Sequence, residues 1–408
     1  MLKIAIFLAA LALFNSCILS PNPEKDNMPK ITLQQIKTDF KGRFCYTHAR
    51  GAMTPEGFAI ITTQPLRLTG SDVFYGMEML TSSDYGKTWS PIRKSNTLLR
   101  QDLGNGYSRA LSDATPMYHR KTGKLLLLGH EVIYLNDNLA PDPRARHTLW
   151  SVFNREKNDW EPIREITMPD ENAYYSCGNG SGQSIELENG DLLIPVYYMS
   201  KEEAGNPWDS KSHAMIMRCS FDGREIRILE LGNSVTIPVP RGADEPSIIR
   251  FKDKFFVAIR NDHDGYVSYS SDGLQLEEPI PLAFDDGSSV GNYNTQQHWL
   301  TCGGKLYMVY TRKNAGNDHV FRHRAPLFMA EFDTEKLCII RATEQIAVPE
   351  RGARLGNFGC FNVSDNEAWI IASEWMQTNP PNPFDWTVCA KYGSDNSIFI
   401  AKVTCDEE

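Results

Sequence analysis

From about residue 31 onward, the chain alternates short apolar runs, roughly four to eight residues long, with clusters of Gly, Pro, Asn and Asp. The most apolar runs are Phe58–Thr62, Lys124–Gly129, Asp191–Tyr197, Lys254–Arg260, Lys305–Tyr310 and Ala368–Ser373. A further run follows each of them: Phe74–Thr81, His147–Phe153, Ala214–Phe221, Tyr266–Ser271, Leu327–Phe332 and Ser397–Val403. Helical spacing of apolar residues is scarce. The pattern predicts strands throughout, and the near-continuous apolar runs predict strands covered on both faces.

The runs recur as a unit of roughly 40–60 residues, repeated about six times. Each unit reads as a small-residue strand, an apolar strand, a third strand ending in an aspartate-rich turn, and a fourth strand. Such units predict an all-β, six-bladed β-propeller, which avoids open sheet edges by radial closure. The last unit lacks a fourth strand after Val403, and Ile31–Phe40 is expected to supply it and close the ring. The Pro/Asn-rich insertion 376–396 is expected to be a loop on one face. The best-defined turn is Ser82-Ser83-Asp84-Tyr85-Gly86-Lys87-Thr88-Trp89, where Asp84 can bond backbone N–H groups and Gly86 tolerates positive φ. Shorter versions stand at Ser220-Phe221-Asp222-Gly223 and Ser270-Ser271-Asp272-Gly273.

The 408 residues are 41% hydrophobic and 23% charged, enough for one large all-β domain. A net charge of −9 leaves no basic field for nucleic acid, so an anionic ligand would need local arginines. Lys3, the apolar run Ile4–Phe14 and Asn15-Ser16-Cys17 resemble a bacterial lipoprotein signal. The expected organisation is a signal segment 1–17 with Cys17 as the lipidated residue, a tether 18–30 and a propeller 31–408. The expected location is outside the cytoplasm, anchored to a bacterial outer membrane by lipid alone. Of the nine cysteines none forms C-x-x-C or a metal spacing, and buried free thiols are the expectation for many.

In a propeller the starts of the inner strands gather around the axis, so candidate chemistry is sought there. The segment 82–89 matches S-x-D-x-G-x-T-W and resembles the Asp box of the sialidases and their relatives. Gly242-Ala243-Asp244-Glu245-Pro246-Ser247 resembles the sialidase segment carrying a catalytic glutamate, with a substrate-binding arginine fifteen residues on; Glu245 and Arg260 keep that spacing. Arg322-His323-Arg324-Ala325-Pro326 resembles the site of another carboxylate-clamping arginine, for which Arg324 fits best and Arg322 is the fallback. Arginine suits that task because its planar fork meets a carboxylate in bidentate fashion and stays charged. Asp72 stands upstream of the box where sialidases carry an acid/base aspartate. Asp113-Ala114-Thr115-Pro116 and Gly178-Asn179-Gly180-Ser181-Gly182-Gln183 resemble the starts of the second and third sialidase blades.

The chain departs from that family at two places. The Arg-Ile-Pro motif is absent, and His48 or Arg50 stands near the first arginine's position. Phe358 stands where the tyrosine nucleophile is expected; either Tyr293 or Tyr392 substitutes for it, or the route is an inverting hydrolysis with Asp72 as acid and Glu245, Asp244 or His48 as base. The resemblance implies an exo-glycosidase that removes a terminal acidic sugar, sialic acid foremost. Asp72, Glu245 and His48 are its catalytic candidates. Arg50, Asp113, Arg260, Arg322, Arg324 and Arg354 are substrate-binding candidates. Gln297 and His298 join them because Gly291–Trp299 is unusually polar for an inner-strand start and suits sugar hydroxyls. Arg351, beside Arg354, is a further possible axis residue. His130, Tyr198 and Arg218 are read as strand packing rather than as a catalytic trio. No metal or organic cofactor is implied; a glycan is the expected partner and a monomer the expected state. Two other readings stand beside this one: a propeller glycosidase of other specificity, such as an α-L-rhamnosidase whose family carries a histidine placed like His48, and a non-catalytic glycan-binding propeller.

Overall fold

The run from Lys254 to Arg260 forms a strand over its full expected length. Its alternate residues feed two different cores: Phe256 and Ala258 pack with Trp299, Leu306 and Met308, while Phe255, Val257 and Ile259 pack with Leu193 and Ile216. Both faces are covered, which is why the run reads as continuously apolar. The computed structural model of the protein describes residues 28–70, 72–205 and 211–406. The expected signal segment with Cys17, and the tether as far as residue 27, lie outside the described residues.

Among the described residues the strands form six sheets whose main ladders are antiparallel. Each is centred on one of the apolar runs: Ala59–Arg67, Lys124–Leu135, Leu192–Met199, Lys254–Arg260, Lys305–Tyr310 and Glu367–Ser373. The large apolar clusters lie between consecutive sheets. Ile60, Met79, Leu125 and Leu127 join the first and second; Leu126, Trp150, Leu192 and Ile194 join the second and third. Val309, Leu327, Ile370 and Phe399 join the fifth and sixth. Ile61, Leu80, Trp369 and Ile400 join the sixth back to the first. Each such side chain, taken fully out of water, contributes about 1.5–3 kcal/mol.

The sixth sheet is completed by the N-terminal strand Lys30–Ile36, which pairs antiparallel with Ile398–Thr404, from Lys30 opposite Thr404 to Ile36 opposite Ile398. This strand is shorter than the expected Ile31–Phe40: Thr38 instead bonds the Asn396 carbonyl, and Phe40 packs edge-on against Trp386. Trp386 opens a short helix, Trp386–Lys391, capped by the Asp385 carboxylate on the Thr387 N–H. The insertion 376–396 is therefore not loop alone. The third strand of the first sheet is also shorter than expected, Glu78–Ser82, with Phe74 making only an isolated bridge to Leu66.

The Asp84 turn forms as its residues require. Asp84 Oδ1 accepts from the N–H groups of Lys87 and Thr88, Oδ2 accepts from the Thr88 hydroxyl, and Gly86 has φ of 65°. A Cβ at Gly86 would lie 2.2 Å from the Trp369 ring, so the turn is seated on the joint between first and sixth sheets. Asp272 repeats the arrangement, accepting from Leu274 and Gln275 N–H. Cys302 and Cys405 form a disulfide, while Cys45, Cys177, Cys219, Cys338, Cys360 and Cys389 are buried thiols.

Candidate functional site

The first strands of several sheets break register at one place each. The first sheet is irregular between Thr47 and Arg50, the second between Ser112 and Thr115, the fourth between Asp244 and Ser247. The residue carried on each irregularity has left-handed backbone: His48 at φ 55°, Asp113 at 52° and Glu245 at 45°. Ser181 and Asn294, ahead of strands in the third and fifth sheets, adopt the same conformation at 57° and 55°. Non-glycine residues enter this region at a cost of about 1–3 kcal/mol, and such residues concentrate at functional sites. Three of the five, His48, Asp113 and Glu245, line one cavity of about 450 Å³, a size suited to a monosaccharide unit.

One half of this cavity is basic. Arg260 ends its strand opposite Asp244, and its Nη1 donates to Glu245 Oε1 at 2.5 Å. Burial lowers the Arg260 guanidinium, but the Glu245 and Asp244 carboxylates together outweigh this and the net shift is upward. Arg322 and Arg324 come from the tight turn Phe321–His323 and the residue after it. Arg354 sits over the Trp375 ring, its guanidinium carbon 3.4 Å from the centroid. The Asn294 side-chain oxygen gathers three of these groups, accepting from Arg260 Nη2 at 2.9 Å, Arg324 Nη2 at 3.2 Å and Arg322 Nη1 at 3.3 Å. Burial and then the neighbouring Arg354, Arg260 and Arg322 hold the Arg324 guanidinium well below its usual range. Arg354 is pushed down to about 9, by burial foremost. Guanidiniums so placed are relieved by an added anion.

The other half holds imidazoles, a carboxylate and a phenol. Asp113 lies between two histidines, with Oδ1 3.1 Å from His48 Nε2 and Oδ2 3.5 Å from His130 Nε2. Burial would raise its carboxyl, but His48, His130 and Arg50 outweigh burial and hold it well below the carboxylate range. Burial pushes His48 down to about 4, so its ring is neutral at pH 7. The Tyr197 hydroxyl is 3.3 Å from His130 Nδ1, and its ring carries the Arg146 guanidinium 4.0 Å from the centroid. Burial raises the Tyr197 phenol above its ordinary value. Asp72 lines the same cavity at φ 53°, and its charge acts on His48, Arg322 and Arg354.

Of the residues expected from sequence, His48, Asp72, Asp113, Glu245, Arg260, Arg322, Arg324 and Arg354 come together here. Arg50, Gln297 and His298 do not line the cavity. Arg50 is fully buried and ties sheets together, donating to the Phe358 carbonyl, the Asp113 carbonyl and the Ser181 hydroxyl. Gln297 donates to the Thr295 carbonyl, and His298 Nδ1 meets the Ser247 hydroxyl at 3.0 Å. Within the polar run 291–299, Gln297 and His298 thus belong to a buried belt between sheets, while Asn294 of the same run meets the site arginines. Arg351 pairs with Glu374 and Asp395 and does not line the cavity.

Phe358 is buried against His298, outside the cavity lining. Neither suggested replacement lines the cavity: Tyr293 bonds His323 and Tyr392 stacks on His319. His130, read from sequence as strand packing, is instead part of the site, together with Tyr197 and Arg146. Tyr198 and Arg218 do belong to strand surfaces, bonding Ser234 and Glu230. Alternation along Leu192–Met199 was the signal that separates Tyr197 from Tyr198, since neighbours on a strand face opposite ways.

No family model matches the chain, and no curated protein matches it. Solved structures resemble it in fold. A protein of unknown function from Dyadobacter fermentans superposes with a TM-score of 0.62 at 13% identity, over 92% of this chain and 99% of the other. Trypanosoma rangeli sialidase superposes with a TM-score of 0.60 at 15% identity, over 92% of this chain. A mutant of the NanB sialidase of Streptococcus pneumoniae gives 0.59 at 11% identity, over 90% of this chain and 70% of the other. The chain spans 59% of the length of the trypanosomal sialidase. The all-β fold is sialidase-like.

Proposed function

We propose that the chain is an exo-acting glycoside hydrolase that removes a terminal acidic sugar, sialic acid foremost, from a glycan. Its six sheets are the blades of one closed propeller, a reading supported by the apolar cluster that joins the sixth sheet to the first. The observation that carries the function is the convergence of Arg260, Arg322 and Arg324 on one neutral oxygen of Asn294, with Arg354 and the Asp72 and Glu245 carboxylates lining the same cavity. A flat face with separated carboxylates would have suited a non-catalytic binder; a concave site with converging charge suits an enzyme.

In this reading Arg260, Arg324 and Arg354 hold the sugar carboxylate. Asp72 donates the proton that the leaving glycosidic oxygen requires. Glu245 is oriented by Arg260, and its Oε2 is buried with no hydrogen-bond partner among the described residues. It faces the positive charge that develops at the anomeric carbon. The N-terminal segment supports an enzyme held outside the cytoplasm by a lipid on Cys17.

The test is incubation with sialylated oligosaccharides and with uronate-linked rhamnose glycans, followed by identification of the released monosaccharide. Release of an acidic sugar is expected, and it should fall in Glu245→Ala and Arg260→Ala. No monosaccharide from any acidic glycan would refute the hydrolase; release of rhamnose alone would replace the substrate.

A further inference from the structure

We propose that Tyr197 is the nucleophile of this site, activated by His130, with Asp113 as the positioning residue behind it. The proposal rests on the hydrolase reading and assigns the group that attacks the sugar. The phenol, the imidazole and the carboxylate stand in series: Tyr197 Oη is 3.3 Å from His130 Nδ1, and His130 Nε2 is 3.5 Å from Asp113 Oδ2. A carboxylate at Nε2 keeps the proton on that nitrogen, which leaves Nδ1 as the acceptor for the phenol. A nucleophile within reach of a base that a third group orients is the general arrangement for covalent catalysis.

The surrounding backbone is shaped for the imidazole. A Cβ at Gly180 would lie 2.0 Å from His130 Nδ1, and one at Gly178 would lie 2.6 Å from His130 Cβ. Neither glycine has the positive φ that would otherwise explain it. Their role is to let the third sheet close on His130. Tyr197 is 5% exposed and His130 6%, yet both reach the cavity wall. Within that wall Tyr197 is the one tyrosine among the described residues.

The chemistry balances in two steps. In the first, the Tyr197 oxygen forms a bond to the anomeric carbon as its proton passes to His130 Nδ1. The glycosidic bond breaks, and the leaving oxygen takes its proton from the Asp72 carboxyl. The resulting imidazolium is stabilised by Asp113. In the second, water attacks the anomeric carbon and gives a proton to Asp72. The bond to Tyr197 breaks, and the phenolate recovers its proton from His130. Two displacements at one carbon give net retention.

The experiment follows the wild-type reaction on its released acidic sugar by proton NMR, to read the anomer first formed. It then labels the enzyme with an activated fluoro analogue of that sugar and locates the adduct by peptide mass spectrometry. Retention and an adduct on Tyr197 are expected. Tyr197→Phe should lower kcat by about 100-fold or more with KM little changed. His130→Ala should slow both kcat and the formation of the Tyr197 adduct while KM holds, a split that a structural role would not produce. Inversion, an adduct on another residue, or an active Tyr197→Phe would overturn the relay and leave the hydrolase reading standing. If no sugar is released at all, both fall. Should a variant fail to fold, the anomer and the adduct on the wild-type enzyme decide alone.

Discussion

The Asn294 side-chain oxygen accepts from Arg260 at 2.9 Å, and it does so while serving two further guanidiniums. A neutral oxygen among cations holds them in place without neutralising them. Asn294→Asp puts a carboxylate there, and the left-handed backbone at this position accepts aspartate. Stability is expected to rise by about 1–3 kcal/mol, because hydrogen bonds to charged groups become ion pairs. Affinity for the free acidic sugar is expected to fall at least about tenfold, since the new carboxylate competes for the same arginines. Thermal melts and calorimetric titration measure both; a variant that binds the sugar more tightly would refute the assignment.

The Glu245–Arg260 pair is buried, with the residues 9% and 6% exposed. Arg260→Ala leaves a buried carboxylate without its partner and is expected to cost about 3–5 kcal/mol. Glu245→Gln should cost less, because Arg260 keeps Asn294 and lies 3.5 Å from Asp262. Both variants are expected to lose at least about 100-fold in kcat/KM. Denaturant melts and steady-state kinetics on the pair decide it, and wild-type activity in either would remove this pair from the site.

His48 gives a pH signature. Its folded value is about 4, against about 6.5 in an unfolded chain. Between those values the unfolded state binds more protons, so stability falls as pH drops from 6.5 towards 4. The contribution of neutral His48 is complete above pH 6.5 and is on the order of 3 kcal/mol. Glu374, which burial raises to about 7, acts in the opposite sense. The readout is therefore the difference between wild type and His48→Asn, whose side chain also tolerates φ of 55°. Melting temperature against pH should slope less steeply in the variant; identical slopes would contradict the buried neutral ring.

Trp369 joins the sixth sheet to the first, packed near Trp89 and Phe361 and 1% exposed. Trp369→Ala is expected to cost about 3–5 kcal/mol. Trp369 lines no part of the cavity, so kcat and KM measured well below the melt should hold. A stability loss below about 1 kcal/mol would mean that the joint bears little load.

The apolar centre of each sheet was legible in the sequence because both of its faces are covered. Lys254–Arg260 and Lys305–Tyr310 were readable to the residue. The short helix at Trp386 was not, because Pro- and Asn-rich composition surrounds six helical residues. Spacing was enough to find the Glu245–Arg260 pair. Polarity alone did not separate Gln297 and His298 from residues that line the cavity, since a buried belt between sheets needs the same amides and imidazoles that a sugar would. His130 was hidden by the leucines before it, and only the register against the third sheet brings it to Tyr197. The left-handed backbone at His48, Asp113 and Glu245 has no sequence signature beyond residue types that tolerate it.

That backbone narrows what can be changed. At His48, Asp113, Ser181, Glu245 and Asn294 a residue is selected twice, once for its side chain and once for a conformation that β-branched residues resist. Saturation libraries at these positions should return few folded members, mostly Asn, Asp, His and Gly. A new specificity is better sought at half-buried lining residues such as Phe321 and Phe384, which meet the cavity from ordinary backbone. The inner bulges then act as a fixed chassis, and the half-buried lining is the part open to redesign.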